Sequence, residues 1–522
     1  MKRKVNWGNI VGYGAADLFG NGALAVASTW MLFFYTEFGG LSPALAGSIL
    51  AIARVADSFI SPLMGYLTDH FGATKMGRRF GRRRFFLLLA IPLMVLYIII
   101  WIAHMNFWFY LVTYLLMEAF TALVMIPYET LAAEMTDDYD TKSKLSSSRM
   151  LWAALATFLA SWLPGRVFAV MGKNNPNAFL VVGILLAVVF ILAITLTYFS
   201  TFERETDGSD AEKAAIIAES KVKTENPLKT MWNMIKDMGS VFRIKSYALH
   251  LLIYLTSFTA RDIVGATYVF FVVYAMKSDA VTASNILTFG SIIGIPCNLL
   301  WPKIMSKLGP SRLLRIMYIL MFGTVVAYAF LGFSPLVGTG TAVGWLYALQ
   351  LTWGVSNSGT GYVPWTVYTF IPDVDEIVTR ERREGVFAGI MTFARKTTSA
   401  LAPFLTGLVL SACGFVENAK TQTPGAMRGL ILWLLIGTGV LLLAAFITTF
   451  FFKLDRAHHK VLRAEIDRLK AGGAKADVDP ATKSVVEQLT GFKYDQLWGN
   501  NNVVPKAERS AIQHAEAKLS EK

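Results

Sequence analysis

Apolar stretches about twenty residues long recur roughly a dozen times along this 522-residue chain, and that repetition constrains its fold more than any other feature. A helix rising 1.5 Å per residue needs about twenty residues to cross roughly 30 Å of hydrocarbon. Within hydrocarbon every backbone N–H and C=O must be bonded inside the structure, so runs of this length cross as helices. The pattern predicts spans at 10–36, 45–68, 85–104, 109–133, 149–171, 178–202, 247–276, 282–306, 312–333, 341–371, 385–413 and 428–452. Only 16% of the residues are charged, against roughly 25% in an ordinary soluble domain, and they crowd into the connections and the C-terminal segment. An all-α integral membrane protein is expected.

Loop charge sets the expected orientation. Lys75, Arg78, Arg79, Arg82, Arg83 and Arg84 follow the second span, whereas Glu37 is the only charge between the first two spans. Basic loops stay in the cytoplasm, so an even number of spans puts both termini there. The net charge of +13 is read as this topology signal, and no nucleic-acid partner is expected. Lys2, Arg3 and Lys4 resemble the start of a signal peptide. The segment after them carries Asp17 and Asn21 and lacks a small-residue cleavage site, so no cleaved leader is expected.

A polar connection at 203–246 separates six spans from six, giving expected bundles at 1–202 and 247–452 joined by a cytoplasmic linker. A weak internal repeat points the same way. Ile126-Pro127-Tyr128 precedes Asp137, Asp138 and Asp140, and Val363-Pro364-Trp365 precedes Asp373, Asp375 and Glu376. Transporters with two such repeats place their binding site between them. Residues 453–522 read as a cytoplasmic tail. Leu454, Val461, Leu462, Ile466 and Leu469 lie at helical spacing in it, Gly472-Gly473 closes that amphipathic helix, and the remainder is expected to be loosely held.

An ionisable side chain within a span is costly unless it is paired or wet, so each is a functional candidate. The candidates are Asp17, Arg54, Asp57, Glu118, Glu129, Arg149, Arg261, Asp262, Arg395 and Lys396. Arg54 and Asp57 share a helix face at three residues' spacing, either as a structural ion pair or with Asp57 open to a cavity as a proton or Na⁺ site. Glu129 follows the kink expected at Pro127, where it could meet substrate hydroxyls, carry a proton, or simply partner Arg149. Tyr128 and Trp365 could stack on a sugar ring, although in a chain this aromatic such rings are also packing. No nucleophile–base pair, metal-ligand cluster or phosphate loop stands out, so neither an enzyme nor a metal site is expected, and Cys297 and Cys413 read as small buried hydrophobes.

Longer motifs carry a family resemblance. They are Tyr13-Gly14-Ala15-Ala16-Asp17 with Asn21; Ala53-Arg54-Val55-Ala56-Asp57 with Ser61-Pro62; and Asp69 with Gly77-Arg78-Arg79 and Gly81-Arg82-Arg83-Arg84. Ile126-Pro127-Tyr128 with Glu134-Met135-Thr136-Asp137-Asp138-Tyr139-Asp140 and Arg149 is the most specific stretch. Pro364-Trp365, Pro372-Asp373-Val374, Arg382-Arg383-Glu384-Gly385 and Arg395-Lys396 add the second half. Over residues 8–455 the chain resembles the glycoside–pentoside–hexuronide:cation symporters of the major facilitator superfamily. The resemblance implies twelve transmembrane helices in two pseudo-symmetric six-helix bundles, and coupled import of a sugar, glycoside or uronide. It places the substrate among Asp17, Asn21, Tyr128, Glu129, Arg149, Asp262, Trp365 and Lys396. Coupling falls to Asp57, Ser61 and Glu129, and gating to Asp69, Arg82, Arg83, Asp137, Asp138, Asp373 and Asp375.

The chain departs from the family at informative places. Where the family has a second acid on span two this chain has Ser61, and the neighbouring ligand positions are Ile60 and Ala122, which favours H⁺ over Na⁺ as the co-transported ion. Two family carboxylates fall at Asn21 and Met125 while Arg149 and Lys396 remain, which favours an acidic sugar unless Glu129 and Asp262 restore the balance. No cofactor beyond the coupling ion is expected. The resemblance implies a monomer in a bacterial inner membrane, with a lysolipid carrier and a non-transporting sugar sensor as the alternatives.

Overall fold

The computed structural model describes residues 5–71, 74–136, 138–172, 175–203, 239, 242–381, 383–419 and 421–503, and among these it is helical with no strand. The long helices are α1 (Trp7–Glu37), α2 (Pro43–His70), α3 (Arg84–Ile99), α4 (Phe107–Met135), α5 (Tyr139–Met171), α6 (Ala178–Ser200), α7 (Lys245–Ala275), α8 (Ala280–Leu308), α9 (Pro310–Gly332), α10 (Gly340–Tyr368), α11 (Glu384–Ala412) and α12 (Pro424–Phe451). Nine of these twelve described helices are long and apolar enough to cross a membrane on length and composition alone. Of the others, α3 is short. Polar residues dilute α10 and α11, among them Gln350, Ser356, Asn357, Arg395 and Lys396.

Helix starts follow side-chain capping. Ser42, Asn106, Asp138, Asp279, Thr339 and Thr423 each accept from a backbone N–H in the first turn of α2, α4, α5, α8, α10 and α12. The Asp138 cap explains the largest departure from the hydropathy pattern. α5 begins at Tyr139, ten residues before the predicted 149, because a capped polar turn can extend past the apolar slab. Pro92 interrupts α3 by removing a backbone donor.

The two halves echo one another beyond their sequence motifs. α1 and α7 each carry a five-residue π-helical stretch, Ala27–Met31 and Phe271–Ala275. α4 and α10 carry Pro127 and Pro364, and α5 and α11 carry Pro164 and Pro403. Between the halves, α2 packs along α11 and α5 packs along α8.

One end of the bundle holds the basic 75–84 connection and the C-terminal segment, and is called the basic end below. The link predicted over 203–246 falls largely outside the described residues. At the other end the halves are closed on each other. A Cβ on Gly407 would lie 2.1 Å from the Pro43 carbonyl oxygen, and one on Gly47 would lie 2.6 Å from the Pro403 carbonyl oxygen, so α2 and α11 touch backbone to backbone. Ala44 N–H donates to Ser411 Oγ at 3.0 Å, Gly165 N–H donates to Ser284 Oγ at 3.0 Å, and the Phe33 and Phe270 rings meet edge to face at 5.3 Å.

Up to Val503 the C-terminal segment corrects the expectation of a loosely held remainder, and residues 504–522 lie outside the described residues. α13 (Arg456–Lys470) is amphipathic as predicted, with Leu462, Ile466 and Leu469 buried, and it is followed by α14 (Pro480–Thr490). Both pack on the short helix Ile371–Thr379 that links α10 to α11. Trp498 and Gly499 N–H groups donate to the carbonyls of Ile377 and Val378 at 2.8 and 2.9 Å. Arg243 donates to the Asn502 carbonyl at 2.7 Å, and Ser246 Oγ donates to the Leu489 carbonyl at 2.6 Å. Apolar burial and satisfied backbone groups together hold this segment in place.

Candidate functional site

Midway along the helices the in-span charges gather into three sets. In the first, α1 supplies Asp17, buried with 2% of its side chain exposed. Arg149 of α5 grips it from Nε at 2.6 Å and Nη2 at 3.3 Å, and Nη2 also reaches Glu129 at 3.0 Å. Asn21, one turn further along α1, donates to Asp17 Oδ1 at 2.9 Å. Tyr128 is fully buried: its hydroxyl donates to Asp17 Oδ2 and approaches the Tyr13 carbonyl, both at 2.9 Å. Its ring is therefore not a platform for sugar in this conformation, and it orients Asp17. Glu129 keeps 55% of its side chain exposed and is the open edge of the set.

The second set lies on the seam between the halves. Lys396 Nζ of α11 sits 2.7 Å from Asp57 Oδ2 of α2 and donates to Ser61 Oγ, which in turn donates to Asp57 Oδ1 at 2.9 Å. The sequence alternatives for Arg54 and Asp57 resolve into separate partners. Arg54 Nη1 meets Glu118 of α4 at 3.4 Å, beside a small cavity lined by Gly20, Ala23, Tyr114 and Thr121. Glu118 had no assigned role in the sequence, because nothing in spacing joins residues 64 positions apart.

The third set belongs to the C-terminal half. Arg395 holds Asp262 with two parallel bonds, Nη1 at 2.6 Å and Nη2 at 2.8 Å. The guanidinium carbons of Arg261 and Arg395 lie 4.6 and 5.3 Å from the centre of the same Phe258 ring. Trp365, half exposed, meets Tyr254 edge-on at 5.7 Å and offers an aromatic wall. Pairing matters here because a lone charge at the bilayer centre costs about 2.5–3.5 kcal/mol even on insertion scales. Arg149 and Lys396 are the surplus cations from which an acidic sugar is expected. The structure pairs both.

Lys396, Arg395 and Asp262 keep 30, 24 and 20% of their side chains exposed, while the far end is closed. The expected gating residues lie at that end and serve nearer partners. Arg83 Nη1 pairs with Glu134 at 2.9 Å, Arg82 also bonds Glu134, and the backbone N–H groups of Arg82, Arg83 and Arg84 donate to Glu203 at 3.0, 2.8 and 2.8 Å. Asp138 accepts from Thr141 N–H at 2.8 Å and from its hydroxyl, which holds its carboxyl below the usual range. Asp375 pairs with Arg383 Nε at 3.0 Å, and burial pushes its carboxyl up against that pull. Asp373 is met by His459 at 2.7 Å and Arg463 at 3.2 Å from α13. Asp137 and the side chain of Asp69 lie outside the described residues.

A family model described as MFS/sugar transport protein matches residues 12–456. The chain is 24% identical over 482 residues to the isoprimeverose transporter of Lactiplantibacillus pentosus, covering 88% of this chain and 91% of that protein. It is also 24% identical over 481 residues to the glucuronide carrier protein homolog of Escherichia coli (strain K12), covering 90 and 97%. Among solved structures the nucleoside transporter NupG superposes with a TM-score of 0.55 at 14% identity, over 85% of this chain and 98% of that one, a likeness of fold.

Proposed function

We propose, for a chain that belongs to the MFS/sugar transport family, that a proton taken up at Asp57 drives import of its sugar by displacing Lys396. The chain is a membrane carrier of sugars or glycosides and not an enzyme. One observation carries the coupling: the Lys396–Asp57 pair at 2.7 Å ties the two halves together at mid-membrane. A proton on Asp57 removes the charge that Lys396 holds, freeing the ammonium to meet sugar hydroxyls and loosening α2 from α11. A ligand shifts such an equilibrium only by its differential affinity, and this pair is where proton and sugar would share that difference. H⁺ is preferred over Na⁺ because Lys396 and Ser61 already occupy the Asp57 oxygens, and Ile60 and Ala122 offer no further side-chain oxygen.

In this reading the basic end faces the cytoplasm of a bacterium and the structure is the inward-facing member of the transport cycle, acting as a monomer. Asp17, Asn21, Glu129 and Arg149 form the sugar-binding wall of the first half, with Trp365, Asp262 and Lys396 opposite. The names of the related carriers support sugar over lysolipid as cargo. The test is uptake by cells lacking their own sugar carriers, offered neutral and acidic mono- and disaccharides, then repeated in proteoliposomes with the substrate found. Accumulation driven by an inward proton gradient and indifferent to Na⁺ is expected. Accumulation that requires Na⁺ overturns the coupling, and entry of no sugar by a correctly inserted protein overturns the reading.

A further inference from the structure

The charges on the two walls do not balance within each half. The N-terminal wall carries Asp17, Asp57, Glu118 and Glu129 against Arg54 and Arg149, and the C-terminal wall carries Arg261, Arg395 and Lys396 against Asp262. Lys396 is spent on Asp57 across the seam, and both oxygens of Asp262 are spent on Arg395. Arg261 is left over. Among the described residues it makes no hydrogen bond or ion pair, and its Nη1 is buried without a partner. That nitrogen lies 3.2 Å from where a Cβ on Gly361 would stand, so the guanidinium rests directly against α10, where any side chain would crowd it.

A buried guanidinium nitrogen without a partner is costly, and the cost is relieved by an anion that arrives from outside the protein. We propose that Arg261, on the Phe258 ring and against Gly361 of α10, is an anion subsite that receives a carboxylate or sulfonate carried by the transported sugar. The planar guanidinium can take two oxygens of such a group at once. The negative charge enters a wall that holds one cation too many. A neutral glycoside leaves Arg261 as it stands. The proposal rests on the sugar-import reading above.

The test measures uptake of methyl glucuronide and methyl glucoside, and of a sulfonated glucoside as a third probe, by the full-length protein in proteoliposomes. The unmodified protein should carry the two acidic sugars in preference to the glucoside. Arg261→Gln should cut the glucuronide-to-glucoside ratio by at least about tenfold, the loss expected for one charge-assisted pair. Arg261→Lys, which keeps the charge but loses the fork, should cut it by about threefold or more, and it carries the test if the glutamine variant does not reach the membrane. Equal or preferential uptake of the glucoside by the unmodified protein overturns the proposal while leaving sugar import intact. So does a ratio that neither substitution changes. Failure to carry any sugar instead overturns the reading beneath it.

Discussion

Lys396 of α11 reaches across the seam between the halves and places its Nζ 2.7 Å from Asp57 Oδ2 of α2, the one ion pair described here that joins the two bundles at mid-membrane. A contact that both closes a seam and neutralises two intramembrane charges cannot be lost without a change in conformation or in proton content. Asp57→Asn keeps the shape and removes the charge. It is expected to abolish accumulation against a gradient while exchange of internal for external sugar persists, as read by counterflow against net uptake. Full accumulation by this variant would remove Asp57 from the coupling.

Asp17 is buried beneath the half-buried Arg149, and Tyr128 and Asn21 brace its carboxylate. Breaking a buried pair by deleting one partner costs about 3–5 kcal/mol, because the other charge is stranded. Arg149→Gln is therefore expected to lower the unfolding temperature in detergent by several degrees and to weaken sugar binding at least about tenfold. The double variant Arg149→Gln with Asp17→Asn should recover part of the stability and none of the binding. Recovery of both would make the pair a scaffold only.

Gly407 meets the Pro43 carbonyl so closely that a side chain must push α2 from α11 at the closed end. Gly407→Val is expected to bias the protein toward the conformation open at that end. A cysteine placed at Ala44 should then react with an impermeant maleimide added from that side at least about threefold faster than in the unsubstituted background. An unchanged rate would mean the closed end is not a moving seal.

The docked C-terminal segment should respond to acid. Arg468 and the Tyr494 hydroxyl bond Glu465 and hold its carboxyl below the ordinary 4.5, and His458 does the same for Asp455 below 3.8. A carboxyl depressed in the folded state stabilises that state above its unfolded value, and the contribution is lost as pH falls through the folded value. Asp375, pushed upward, contributes with the opposite sign. The protection of α13 and α14 against hydrogen exchange, taken relative to the intrinsic rate at each pH, should thus be the same at pH 7 and pH 6 and fall only below about 4.5. Release already at pH 6 would mean that these carboxyls do not control the docking.

How much of this was legible in the chain depends on the range of the interaction. The spans were legible because apolar length is local, and ends such as Ser42 and Asp279 are set by one side chain and its own first turn. The in-span charges were also legible as a list, since rarity alone marks them. Their partners were not. Arg54 and Asp57 share a face, yet one turns to Glu118 and the other to Lys396, choices made by neighbouring helices. Arg261 and Asp262 differ by one position, and only the structure shows that Arg395 takes the acid and leaves the base. The amphipathic stripe of α13 was visible too, but the surface it covers belongs to a helix more than eighty residues earlier.

That covering segment bears on how the protein is made. Ser246 at the start of α7 and the carbonyls that end the helix Ile371–Thr379 are satisfied by residues 489–501, which leave the ribosome after all twelve long helices have been synthesised. Chain order therefore puts the docking of this segment after synthesis of the helices it rests on. A nascent chain that stops after Phe452 has all twelve long helices and still lacks the groups that complete its C-terminal half.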